Sequence, residues 1–108
     1  MPVIQVCAVS GGPERDAARL AALCRATAGE LGLPDSGVIA VLTPVTATAS
    51  GESALPSWPL AVVHGSPRPA AAMDAALRQA GRVLAEEWDV PAGDVWVEWS
   101  AGRIGHQP

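Results

Sequence analysis

The 108-residue sequence contains no lysine, no phenylalanine and no tyrosine. Without Phe or Tyr, the core must be built from Val, Leu, Ile and Ala, with four Trp as the large rings. Its cations are seven arginines against eleven acids, a net charge of −4 with no basic cluster. That balance argues against nucleic acid or an anionic membrane surface as a partner. No apolar run approaches the ~20 residues of a membrane span. The opening MPVIQVCAV lacks the charged leader of a signal peptide, so the expected location is the cytoplasm. There is no zinc-type Cys/His spacing and no Gly-rich phosphate loop, so no metal or cofactor is implied. The two cysteines, Cys7 and Cys24, fall on an expected strand and an expected helix. They read as two buried thiols, with a disulfide as the alternative.

What is present is a pattern written twice. Residue i and residue i+57 fall into step without a gap: Pro2 meets Pro59, Val6 meets Val63, Leu20 meets Leu77, Arg25 meets Arg82, Pro34 meets Pro91 and Val38 meets Val95. The matches fall on apolar and turn positions, where an architectural repeat shows itself. In each half a β-branched run (Val3 to Val9, Leu60 to Val63) reads as a buried strand. A Pro/Gly/Ser cluster and a helical stripe follow: Leu20, Leu23, Cys24, Thr27 and Leu31, then Met73, Leu77, Ala80, Leu84 and Trp88. Gly32 with Pro34, and Asp89 with Pro91, stop the helices. Val38 to Thr43 and Val95 to Trp99 return as strands.

A strand–helix–strand crossover of this length is parallel and right-handed. The expected fold is therefore α/β (α+β): one domain of two β-α-β units, residues 2–43 and 59–100, forming a four-stranded mixed sheet with both helices on one face. Residues 44–58, rich in Thr, Ser, Ala and Pro, read as a linker with no strand period. In the last strand Val95, Val97 and Trp99 point one way, Trp96 and Glu98 the other. Both faces carry a Trp, so the uncovered face is expected to meet other copies of the chain.

Pro2 is the leading chemical candidate. An initiator Met is normally trimmed before a small residue such as Pro, which leaves a secondary amine at the chain terminus. The reference pKa of an α-amino group is near ~8. Apolar burial lowers it, giving a neutral base that accepts and returns a proton. If protonated it is an acid; as a nucleophile it forms an iminium with a carbonyl. The plain alternative is a common Met-Pro start at the head of an edge strand.

PVIQVCAVSG, then a helix, then GLPDSGVIAVLTP resembles the tautomerase superfamily, whose β-α-β units open on a catalytic N-terminal proline. Length and duplication match its two-unit members, the macrophage migration inhibitory factor, carboxymethyl-hydroxymuconate isomerase and cis-chloroacrylate dehalogenase type, which form trimers. The resemblance implies a homotrimer acting on a small-molecule substrate. It carries over only Pro2 directly. The arginines of the single-unit members fall at Gly12 and Ile39; the lysine, tyrosine and asparagine of the inhibitory-factor branch fall at Leu33, Trp96 and Glu98.

Other candidates are read on their own chemistry. Glu98 sits mid-strand beside Trp96 and Trp99, an expensive place for a carboxylate. By the resemblance this strand approaches the proline pocket, so Glu98 is a second acid/base or an activator of water, or else a solvent-facing side chain. Arg68, in HGSPRP, is a candidate carboxylate clamp, with Ser66 of the same loop beside the substrate. Arg103, in the tail, is a second candidate clamp. Trp96 lines an apolar pocket or a subunit interface. His64 and His106 read as a packed or surface residue and a tail residue. The function these point to is keto–enol tautomerisation or isomerisation of a small carbonyl or unsaturated keto acid through Pro2. The alternatives are water addition to an activated alkene, with Pro2 as acid and Glu98 activating water, and a non-catalytic trimer that keeps the fold.

Overall fold

The computed structural model describes residues 1–102. The main sheet has four strands: β1 (Val3–Ala8), β2 (Ile39–Pro44), β5 (Leu60–His64) and β6 (Trp96–Ser100), ordered β2-β1-β5-β6. β1 runs parallel to β2 and β5 parallel to β6, while the central pair β1 and β5 is antiparallel. Helices α1 (Pro13–Leu31) and α2 (Ala70–Glu87) supply the crossovers.

The strands bury one face because alternation demands it. Ile4, Val6 and Ala8 of β1 and Ala61 and Val63 of β5 are buried with Leu23, Ala80, Val83, Leu84 and Trp88 of the α2 region and α1. In α1 the stripe turns slightly from its expected centre. Leu23 and Thr27 are buried as expected, Arg19 and Ala28 join them, and Leu20, Cys24 and Leu31 are half-buried.

The 57-residue repeat extends to individual hydrogen bonds. The Pro2 carbonyl accepts from Ile39 N–H at 3.1 Å and the Pro59 carbonyl from Trp96 N–H at 3.0 Å. After α1, Leu33 N–H donates to Ala28 O at 2.9 Å; after α2, Val90 N–H donates to Ala85 O at 3.0 Å. Both helix ends turn through a left-handed residue, Gly32 (φ 67) and Asp89 (φ 53).

Two expectations need correcting. Residues 44–58 contain a small hairpin, β3 (Thr48–Ala49) against β4 (Ala54–Leu55). It forms because Ser50 closes the turn: its N–H donates to Ser53 O, and its hydroxyl accepts from the N–H groups of Glu52 and Ser53. The cysteines are free thiols, as expected, but half-buried rather than buried. Strand alternation puts Cys7 on the face of β1 away from the helices, whereas Cys24 lies on α1, so the sheet separates them. Burial pushes the Cys24 thiol up, against a smaller opposing pull from Arg25.

That second sheet face is open. It presents Ile39 and Val41 at 46% exposure each, with Gln5, Cys7, Val62, Glu98 and Trp96 across the sheet. Among the described residues no helix is long and apolar enough to cross a membrane.

Candidate functional site around Pro2

Pro2 precedes β1, and its side chain is fully buried on the helix-facing side of the sheet. Continuing the β1–β5 register puts it opposite Gly65. A Cβ built on Gly65 would lie 3.4 Å from Trp99 Cζ2 and 3.6 Å from Pro2 Cβ. Trp99 and Pro2 therefore both lie within contact distance of the space that a side chain at residue 65 would fill. Gly65 N–H donates to Ser100 O at 3.2 Å, which ties this residue to β6. Met1, bonded to the Pro2 nitrogen, is 44% exposed. Pro2 therefore joins an exposed first residue to a buried strand.

The loop from Gly65 to Pro69 carries Ser66 and Arg68, both half-buried. Arg68 Nε is buried and has no hydrogen-bond partner among the described residues; the same holds for Trp99 Nε1. The repeat shows a different arrangement at the matching place in the first half. Its counterpart is Gly11, and the counterpart of Ala76 is Arg19. In the first half the guanidinium comes from the helix: Arg19 would clash with any Cβ on Gly11, at 2.7 Å from its Nη1. Arg19 Nε donates to Glu87 O at 2.9 Å, and its guanidinium lies over the Trp88 ring. Trp88 is matched by Leu31 in the other half, which has no ring face to offer a cation.

Arg19 is a buried arginine that sequence pattern does not single out. It belongs to a structural cluster at the far end of the sheet. Asp16 accepts from the Ser10 hydroxyl and from Gly11 N–H at 2.8 Å, and lies 3.7 Å from Arg19. These hydrogen bonds, Ser10 first and Gly11 next, hold the Asp16 carboxyl below the usual carboxylate range. Trp88 Nε1 donates to Val9 O at 2.8 Å.

The remaining candidates stand elsewhere in the single chain. Trp96 is 56% exposed and begins β6 beside Pro59, at the opposite end of the sheet from Pro2. With Thr48, Ala49, Leu55, Trp58 and Leu60 it lines an open apolar hollow of about 530 Å³. Glu98 pairs with Val62 on the open face and accepts from Trp96 Nε1 at 3.4 Å. His64 is also on that face, its Nε2 3.1 Å from Gln5 Oε1. One chain therefore gathers Pro2, Gly65 and Trp99, with Arg68 and Ser66 in the adjoining loop, and keeps Trp96 and Glu98 apart from them. Arg103 and His106 lie outside the described residues. Trp99 was not among the expected site residues; its inward alternation was legible, its nearness to Pro2 across Gly65 was not.

No protein-family profile matches the sequence, and no curated protein matches it. Solved structures do match the fold. A fused 4-OT, described as a wild-type asymmetric trimer, is 24% identical over 97% of this chain and 94% of its own, with a TM-score of 0.83. Pt0534, solved after inactivation by 2-oxo-3-pentynoate, is 16% identical over 93% of this chain and 85% of its own, at 0.82. MIF2 of Leishmania major is 20% identical over 94% and 89%, at 0.79. The chain has the tautomerase/MIF-like fold that these proteins share.

Proposed function

We propose that this chain, once Met1 is removed, is a tautomerase or isomerase in which the Pro2 amine moves a proton on a small carbonyl or unsaturated keto acid. The observation that carries the reading is a fully buried Pro2 ring attached to an exposed Met1. An amine in apolar surroundings favours its neutral form. It takes a proton from a carbon beside a carbonyl, or from an enol hydroxyl, and returns it at the other position with no net change. Arg68 is the carboxylate clamp, since its buried Nε is not committed to another group among the described residues.

The same reading places the chain in a homotrimer. Ile39 and Val41 on the open face, with Trp58 and Trp96 at the hairpin hollow, offer apolar surface for other copies. The fused 4-OT neighbours are described as trimers. Water addition to an activated alkene is the second reading. It would need Glu98 from another copy, because within one chain Glu98 projects from the face away from Pro2.

Intact mass first establishes whether Met1 is absent. The trimmed protein should then ketonise phenylenolpyruvate, with Pro2→Ala lowering kcat/KM by about 10²-fold or more. Equal rates for the two proteins would refute proton transfer by Pro2. A preparation that retains Met1 and is nevertheless equally active would do so as well. The inactivator seen with Pt0534 gives an independent check. The amine nitrogen adds to the alkyne of 2-oxo-3-pentynoate while a proton goes to the adjacent carbon, so the protein gains the whole reagent mass on residue 2.

A further inference from the structure

We propose that the Trp99 indole N–H is a second substrate donor, which receives the carbonyl or enolate oxygen beside Pro2. This rests on the reading of Pro2 as the proton-transfer group and adds the group that positions the oxygen.

Three observations carry it. The first is that Trp99 Nε1 is buried without a partner among the described residues. A buried indole N–H ordinarily finds an acceptor. The other buried indole, Trp88, does so at the Val9 carbonyl.

The second is position. The six-membered edge of the Trp99 ring, next to its nitrogen, lies 3.4 Å from the site of a Gly65 Cβ, and Pro2 lies 3.6 Å from the same point. The Trp99 ring and the proline thus both reach the space that a Gly65 side chain would occupy.

The third comes from the duplicate. At the Pro59 end the counterparts of Gly65 and Trp99 are Ala8 and Leu42. Ala8 is buried and Leu42 packs against the core, so apolar side chains fill the matching positions. Pro59 is an imide and performs no amine chemistry. The glycine and the unpartnered donor occur at the end where a free amine can form.

An acceptor held by Trp99 and a carboxylate held by Arg68 describe a 2-keto acid or its enol. Developing negative charge on the oxygen would strengthen the indole hydrogen bond, so the donor favours the transition state over the resting substrate.

The test uses the Met1-free protein and phenylpyruvate as probe. Binding is expected to move the Trp99 indole N–H resonance downfield in nitrogen-15 spectra, with the signal assigned by its loss in Trp99→Phe. Trp99→Phe should lower kcat/KM for phenylenolpyruvate by about 10²-fold, while Pro2→Ala still binds the probe and shifts the resonance. Gly65→Ala supplies a second variant. Its Cβ meets its neighbours at ordinary contact distance, so it should fold, yet it fills space beside both the ring and the proline and should weaken probe binding. An unmoved Trp99 resonance at saturating phenylpyruvate, or wild-type turnover in Trp99→Phe, overturns the proposal. Inactivity of Pro2→Ala alongside either result would leave the Pro2 reading standing, whereas equal activity of Pro2→Ala would sink that reading alone.

Discussion

The Arg19 guanidinium carbon lies 4.8 Å from the centroid of the Trp88 ring, joining α1 to the end of α2. The same side chain donates to the Glu87 carbonyl. Arg68 contrasts with it: its buried Nε has no such acceptor among the described residues.

Opposite outcomes follow for the two arginines. Arg19→Ala loses a stacked cation and a charged hydrogen bond, at about 2–4 kcal/mol of stability. Arg68→Ala removes no hydrogen bond from its Nε, so its stability should stay within about 1 kcal/mol of wild type, while KM for a keto-acid substrate rises. Urea unfolding of both variants checks the first half, steady-state kinetics the second. A strongly destabilised Arg68→Ala would contradict the division of labour.

Acid should weaken the Ser10–Asp16 junction. The folded Asp16 carboxyl is held below its ordinary range by Ser10 and Gly11. Its contribution is present above the unfolded value of about 3.9 and is lost as pH falls through the lower folded value. The stability gap between wild type and Asp16→Asn should therefore narrow below about pH 4. Denaturant melts between neutral and acid pH measure that gap.

The two helix ends make an internal control. Asp89 adopts the left-handed conformation that Gly32 adopts at the matching turn. Asp89→Gly should stabilise by up to about 1 kcal/mol, and Gly32→Ala should destabilise by about 1 kcal/mol. Thermal melting of the pair gives both signs in one experiment.

Val41 tests the open face. It is 46% exposed between β-branched and apolar neighbours on β2. If copies of the chain cover that face, Val41→Glu buries a charge at their junction and should shift the assembly toward monomer in light scattering. An unchanged mass would remove the β2 face from the interface.

Much of the fold is legible because it depends on period and punctuation. Pro2, Pro59, Gly32, Pro34 and Pro91 mark the ends of elements, and alternation in β6 correctly sorts Val97 and Trp99 from Trp96 and Glu98. Arg19 is illegible for a physical reason: a charged residue reads as solvent-facing unless its acceptor and its stacking ring, both some 68 residues away, are known. The hairpin at Ser50 depends on a side chain closing its own turn rather than on a run of strand formers. For the site, residue chemistry points to Pro2 and Arg68, but nearness across an antiparallel pair requires the β1–β5 register. That register brings Gly65 to Pro2, and the β5–β6 register adds Trp99 on the same side and takes Trp96 to the other end.

The antiparallel join of β1 and β5 also governs how much chemistry a given mass of protein can hold. Two separate units paired this way would each begin with their own terminal amine, one at either end of the sheet. Joining them in one chain turns the second amine into the Trp58–Pro59 imide, so a chain has one terminal amine where two units would have two. In exchange, the two ends become independently adjustable by mutation. A change at Ala8 or Leu42 no longer repeats itself at Gly65 or Trp99, so one end can be tuned for packing while the other is tuned for a ligand.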